Sequence, residues 1–462
     1  MSQEPSHLML PADSAWLALE RPENPMIITV MLRVQGLTAP RFREFLAVYW
    51  SAWERFRYQP VRRTAGWYWQ RDPDFDPLRH LEVVIDRFTS DQLRSWVSAR
   101  LNEPLPLFRP SWKFWLAPNA EGGAALVLRM HHCYADGLSL RGLFERLCPA
   151  SPRQPPALYG APERDGFGRW LGAAEGWLSS LASAVGDNVG DGALAEALGR
   201  AGHTLGLWRR AGVRLTHDFT GLLVEAEDTP SPLRRPLLGR RQCHWSAPVP
   251  LARLWGIART TRTAINDVLL SCVTAALAPR LGLTRGARHR ACLHAAVPVD
   301  LRQRLPAELC PEPGNLGNGF GTLFVPLPVD GESPLERLYR IKQETRRLKA
   351  STQPLVAWGL SACAPLLPDS LRSPIVDAFC RKASLVVSNV PGTAEPRYLA
   401  GCRVTEQMFW VPQAGEQGLG LGIVSYAGQV QFGVVADEAL NLELEGFLQD
   451  CLHELDRLEA GG

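Results

Sequence analysis

Apolar positions along this chain recur with two periods, and the switches between them mark the elements. Met26–Val34 is a β-rich run broken at Gly36 and reads as a strand. Pro40–Phe56 carries Phe42, Phe45, Leu46, Tyr49, Trp50 and Trp53 at helical spacing and predicts one helix. Trp67–Gln70 predicts a short strand. Over Asp91–Leu101 the apolar residues Leu93, Trp96, Val97 and Leu101 share a helical face, and Ser90-Asp91 offers the N-cap. Lys113–Leu116 and Ala124–Met130 predict two strands parted by turn residues, with a helix over Leu138–Leu147. The C-terminal half repeats the mixture. Helices are expected over Leu251–Ala258, Ala264–Arg280, Ser333–Lys349 and Ala439–Leu458. Strands are expected over Ala291–Val299, Gly321–Val329 and Leu385–Ser388, with a hairpin of Leu421–Tyr426 and Gln429–Val435 around Ala427-Gly428.

Two breaks interrupt this order. Residues 149–165 hold Pro149, Pro152, Pro155, Pro156 and Pro162, and Pro230–Arg241 is rich in Pro and Arg. Between them, Trp170, Leu171, Trp177, Leu178, Leu198 and Trp208 fall at helical spacing and predict two or three joining helices. The expected organisation is therefore an N-terminal domain over 1–150, a helical linker over 151–240 and a C-terminal domain over 241–462.

Composition narrows the functional classes. The chain is 46% hydrophobic and 21% charged, which excludes wholesale disorder, and its net charge of +3 is too small for a nucleic-acid footprint. No stretch of apolar residues is long enough for a membrane-spanning helix. The ten cysteines include no CxxC pair, and no basic-then-apolar leader precedes Pro11, so a reducing, cytoplasmic setting is expected.

The segment with chemistry in it is Val127–Gly137. An apolar strand ends in His131-His132; after three residues come Asp136 and Gly137, then a helix. Histidine is the side chain titrating nearest neutrality, which suits a general base for a hydroxyl. Asp136 is placed to hold the loop, and Gly137 permits the turn and offers a backbone N–H at a helix start for an oxyanion. The structural alternative is a histidine that simply ends a strand. There is no HExxH and no Cys/His cluster, so no metal is expected, and no GxSxG elbow for a serine nucleophile. The glycine-rich runs Gly314–Gly321 and Gly418–Gly422 match neither a phosphate loop nor a dinucleotide fingerprint.

His131-His132-x-x-x-Asp136-Gly137 resembles the HHxxxDG motif of the coenzyme-A-dependent acyltransferase superfamily, and further segments are similar to its wax ester synthase/acyl-CoA:diacylglycerol acyltransferase branch. These are Leu10-Pro11-x-Asp13 with Leu19-Glu20-x-Pro22-x-Asn24-Pro25-Met26, Arg109-Pro110-x-Trp112-x-Phe114-Trp115, and Asn266-Asp267. They continue with Val297-Pro298-Val299-x-Leu301-Arg302, Gly317-Asn318-x-x-Gly321, Ser388-Asn389-Val390-Pro391-Gly392 and Ser425-Tyr426-x-Gly428. Two departures stand out: Ser111 where the branch has Leu, and the Cys133-Tyr134 pair inside the motif.

The resemblance implies an α/β fold: a two-domain, chloramphenicol-acetyltransferase-like sandwich of mixed sheets flanked by helices, with the active site in an interdomain channel. The reaction implied is transfer of a long-chain acyl group from acyl-CoA to a fatty alcohol or diacylglycerol, giving wax ester or triacylglycerol. His132 would be the general base, with no acyl-enzyme and no cofactor, acyl-CoA being a substrate. His131 would orient the loop, and Asp136 would pair with an arginine, Arg302 as the candidate against Arg129 or another arginine. Asn266 would meet the oxyanion or tie elements together; Ser388 and Asn389 would line the tunnel or end a strand; Asp267 completes the motif. A specialised-metabolite hydroxyl as acceptor and an inactive lipid-binding homologue are the alternatives. An insoluble product makes peripheral membrane or lipid-droplet contact an expectation, with Trp170, Trp177 and Trp208 as candidate docking residues.

Overall fold

The apolar run at Ile27–Val34 is nearly continuous because both of its faces are covered, and it becomes a central strand of the first sheet. The computed structural model describes residues 6–157, 172 and 228–461, apart from 65, 289–290, 307–308, 312–314, 332 and 367–368. The joining helices expected over Phe167–Glu227, with Trp170, Trp177 and Trp208, lie outside the described residues apart from Gly172. In chain order the strands are β1 (Ser6–Leu8), β2 (Ile27–Val34), β3 (Tyr58–Arg63), β4 (Gly66–Arg71), β5 (Leu81–Val83), β6 (Trp112–Ala117), β7 (Ala124–His131), β8 (Arg241–Trp245), β9 (Val249–Pro250), β10 (His294–Asp300), β11 (Phe320–Pro326), β12 (Leu385–Pro391), β13 (Tyr398–Leu399), β14 (Cys402–Trp410), β15 (Leu419–Tyr426) and β16 (Gln429–Asp437). The main helices are α1 (Pro11–Leu19), α2 (Ala39–Phe45), α3 (Ser90–Leu101), α4 (Gly137–Leu147), α5 (Leu251–Thr261), α6 (Ile265–Leu277), α7 (Pro334–Lys349), α8 (Gln353–Cys363), α9 (Asp369–Cys380) and α10 (Leu444–Gly461).

Three sheets form. The first runs β13-β14-β2-β7-β6-β5, and the second runs β11-β10-β12-β15-β16-β8 with β9 beside β16. A small third sheet is β1-β4-β3. The second sheet is mixed, with β10, β12 and β15 parallel and antiparallel pairs on either side. Strands β13 and β14 thus cross from the segment expected as a C-terminal domain into the first sheet, where β14 pairs with β2 from Val34 to Thr29. A hydrophobic cluster joins the sheets: Met31, Trp115 and Met408 of the first meet Trp245, Val424 and Val435 of the second. Close approach at this seam explains part of the Gly418–Gly422 run, since a methyl group on Gly422 would collide with the Phe409 carbonyl of β14.

Most expected elements form within a residue or two of their predicted ends, and the differences have local causes. The expected Pro40–Phe56 helix breaks into α2, a wide turn over Leu46–Trp50 and a tight turn over Glu54–Arg57. Trp50 stacks on Phe56 at 3.9 Å. Residues six apart in one straight helix face about 120° away from each other, so the aromatic core requires the break. Helix α3 is capped one residue early by a reciprocal Thr89–Gln92 box. Helix α6 tightens at Ala278–Leu281, where Pro279 precedes the left-handed Gly282. β14, α8 and α9 have no counterpart in the periodicity reading. Among the described residues, no single helix is long and apolar enough to cross a membrane.

Candidate functional site

The register of β7 against β2 sets the motif in place. His131 lies opposite Ile27, and the His132 backbone N–H donates to the Met26 carbonyl at 2.7 Å. The chain then turns through Cys133, Tyr134 and Ala135, all fully buried, into α4. The His132 ring stacks on the Trp16 indole, centroids 3.7 Å apart. Its Nδ1 is 3.0 Å from the Asn318 Oδ1. That oxygen also accepts from the Trp16 Nε1–H at 3.0 Å, while the Asn318 NH2 donates to Asp13 Oδ1 at 2.9 Å. Asp13 is salt-bridged to Arg55 at 3.0 Å. Since Oδ1 is an acceptor, Nδ1 carries the proton and Nε2 is the basic nitrogen. Burial pushes the His132 pKa down to about 4 against the opposing pull of Asp136, so the ring is neutral near pH 7.

His131 is in the opposite tautomer. The Cys133 N–H donates to its Nδ1 at 3.1 Å, so Nε2–H faces the Glu20 carboxylate, to which it is bonded. Both ring nitrogens are engaged in holding the loop. Cys133 packs in the core of the first sheet, and burial raises its thiol well above the ordinary range.

Asp136 joins three segments. It caps α4 through the Ser139 N–H at 2.8 Å, accepts the Gly319 N–H at 2.8 Å, and takes Arg302 Nη2 on both oxygens. Arg302 is therefore its partner. Arg129 is bonded instead to the carbonyls of Leu101 and Glu103. Gly137 opens α4 against β12, where a Cβ would lie 2.9 Å from the Val390 side chain.

A cavity of about 590 Å³ has His132, Asp136, Gly137, Asn266, Ser388 and Asn389 in its wall. The rest is largely apolar and includes Phe42, Trp50, Phe114, Trp358 and Phe379. Asn389 donates to the Asn266 Oδ1 at 2.6 Å, so the two amides act as one unit. Asp267 faces away: it closes the start of α6 through the Ala264 N–H and accepts the Thr345 hydroxyl. The two sequence departures meet each other, since the Tyr134 hydroxyl accepts the Ser111 N–H at 3.0 Å and donates to the Tyr58 carbonyl at 2.6 Å.

Sequence reasoning brought out the motif and the amides but assigned no role to Trp16, Asp13, Glu20, Asn318 or Arg55. Asp13, Glu20 and Asn318 stand inside matched segments. A buried acid in an otherwise apolar helix, as Asp13 is in α1, was the available signal.

Comparisons with known proteins identify the family and the fold. The family model described as the wax ester synthase/diacylglycerol acyltransferase catalytic domain matches residues 9–269, and its C-terminal-domain companion matches 316–459. A putative diacylglycerol O-acyltransferase of Mycobacterium tuberculosis is 27% identical over 98% of this chain and 92% of its own length. The fold is similar to that of the wax ester synthase/diacylglycerol acyltransferase of Marinobacter aquaeolei VT8, with a TM-score of 0.67 at 19% identity over 98% of this chain and 99% of the other. It is also similar to a starter condensation domain of rhizomide synthetase solved in complex with C8-CoA, with a TM-score of 0.56 at 15% identity over 98% and 94% of the two chains. Matched over more than half its length by the catalytic-domain model, the chain belongs to the wax ester synthase/diacylglycerol acyltransferase family of acyl-CoA-dependent O-acyltransferases.

Proposed function

We propose that this protein esterifies a long-chain alcohol or diacylglycerol with the acyl group of a long-chain acyl-CoA, using His132 as general base. The observation that carries this reading is a neutral histidine of defined tautomer in the wall of a largely apolar cavity. Nε2 of His132 takes the acceptor's hydroxyl proton as the oxygen attacks the thioester carbonyl. The C–O bond forms, the tetrahedral oxyanion collapses, the C–S bond breaks, and the imidazolium returns its proton to the departing thiolate. No acyl-enzyme intervenes. With the Asn266 carbonyl held by Asn389, the Asn266 NH2 is the side-chain donor for the oxyanion, alongside the Gly137 N–H at the start of α4. Ser388 contributes to the wall between them. The apolar wall of the cavity takes the alkyl chains.

The acceptor and product partition into lipid, so the enzyme meets them at a membrane or lipid-droplet surface; co-sedimentation with phospholipid vesicles containing diacylglycerol tests this contact. The activity is tested by following CoA thiol release from palmitoyl-CoA with hexadecanol, with diacylglycerol and with no acceptor. Acceptor-dependent release with ester formation is expected. Release that is equal in all three arms would show a thioesterase and overturn the reading.

A further inference from the structure

Asn318 makes four side-chain hydrogen bonds, and their chemistry leaves the amide one orientation. The Trp16 indole only donates and the Asp13 carboxylate only accepts, so Oδ1 faces the indole and NH2 faces the acid. The same NH2 donates to the His132 carbonyl at 3.1 Å, while Oδ1 meets His132 Nδ1. Asn318 therefore grips His132 at both its ring and its backbone. Its own backbone N–H donates to Asp13 Oδ1 at 3.0 Å, which fixes the acid from a second direction. Asp13 is fully buried and paired with the buried Arg55.

We propose that Asn318, oriented by Asp13 and Trp16, is a positioning residue that keeps His132 in its Nδ1–H tautomer and supports the imidazolium formed during acyl transfer. The inference rests on His132 acting as the base. As Nε2 gains a proton, positive charge spreads over a ring with two stabilising neighbours. One is Oδ1, made more negative by the Asp13 carboxylate bonded to the other end of the same amide. The other is the face of the Trp16 indole, stacked within cation–π distance. A neutral amide between acid and base passes on part of the charge without offering a second site for the proton. The other charged groups facing this region are accounted for: Asp136 is paired with Arg302 and His131 with Glu20, while Asp300 and Arg141 belong to the cavity wall. The relay joins positions 13, 132 and 318, which no local pattern connects.

The test combines Asn318→Ala, Asn318→Asp, Asp13→Asn and His132→Ala with steady-state kinetics and nitrogen-15 NMR of the imidazoles. In the wild type, His132 is expected as the Nδ1–H tautomer. Asn318→Ala should lower kcat roughly 100-fold, the lower end of a positioned base's contribution, with KM for acyl-CoA little changed. Asn318→Asp keeps the acceptor and should recover much of that loss, while Asp13→Asn, which also weakens the buried pair with Arg55, should lower kcat per folded molecule along with the melting temperature. A wild-type ring in the Nε2–H tautomer overturns the proposal. So does an Asn318→Ala or Asp13→Asn enzyme that loses melting temperature but keeps kcat per folded molecule, or an Asn318→Asp enzyme slower than Asn318→Ala. If Asn318→Ala does not fold, Asn318→Asp and Asp13→Asn carry the test by the same criteria. Turnover retained in His132→Ala refutes the base assignment itself, whereas an inactive His132→Ala beside a fully active Asn318→Ala refutes only the relay.

Discussion

Arg302 Nη2 donates to both carboxylate oxygens of Asp136, at 3.0 and 2.7 Å, across 166 positions of sequence. The same arginine reaches Ser139 Oγ at 3.0 Å, so it pins the first turn of α4 as well as the motif loop. Removing the acid leaves a half-buried guanidinium without its main partner and frees the Gly319 and Ser139 N–H groups. Asp136→Ala should therefore cost about 3 kcal/mol of stability together with activity. Asp136→Asn keeps an acceptor for the cap and should be milder. Denaturant melts of both variants check this; an Asp136→Ala protein of full stability and no activity would assign the acid to the chemistry instead.

His132→Ala should reduce acyl transfer by roughly 100- to 10,000-fold while leaving the fold intact. His131→Ala should act differently, because His131 binds Glu20 and the Cys133 N–H rather than facing the reaction. Its main effect should be a lower melting temperature. Parallel kcat and thermal-melt measurements separate the two histidines.

The low pKa of His132 predicts a pH profile. With the folded value near 4, kcat/KM should stay level from about pH 8 down to pH 5 and fall only below that. Stability should follow a related course. The unfolded histidine, near 6.5, binds more protons than the folded one between pH 6.5 and 4, so stability is lost as pH falls through that window. His132→Gln should flatten this part of a melting-temperature profile.

His294 predicts the opposite slope. Burial disfavours its charge, but the 2.7 Å bond to Asp228, with Cys292 nearby, outweighs it and lifts the pKa to about 9. A raised folded value gives stability that is complete below the unfolded pKa near 6.5 and is lost as pH rises through 9. The melting-temperature gap between wild type and His294→Gln should be largest near pH 6 and shrink by pH 9.5. A gap that widens with pH would contradict the ion pair.

Cys133 adjoins His132 in sequence, yet it is sealed in the core and absent from the cavity wall. Cys133→Ala should retain most activity, and intact-mass analysis after mixing with acyl-CoA alone should show no adduct. Native alkylation should mark Cys292 before it, since Cys292 alone among the cysteines of described burial is partly open. An acyl adduct on Cys133 that alcohol discharges at the turnover rate would replace direct transfer with a covalent route.

Much of this protein is written locally. The strand leading to His131, the turn and the helix after Gly137 follow from period, turn residues and capping, which depend on neighbours a few positions apart. The HHxxxDG spacing marks His132 as the candidate base through histidine chemistry and its resemblance to a family motif. Tertiary structure alone decided the rest. Arg129 and Arg302 are equally arginine in the sequence, and only the close approach of residues 317–319 to the motif loop selects Arg302 for Asp136. The aromatic run from Phe42 to Trp53 has helical spacing, but stacking Trp50 on Phe56 outweighs that local preference and breaks the helix. Cys402–Trp410 joins the first sheet because the open edge of β2 requires a partner, a demand invisible from its own residues. Asn318 acquires its part from Trp16, Asp13 and His132 together. Hydrogen bonds between positions hundreds of residues apart are set by packing of whole layers, and no short-range pattern encodes them.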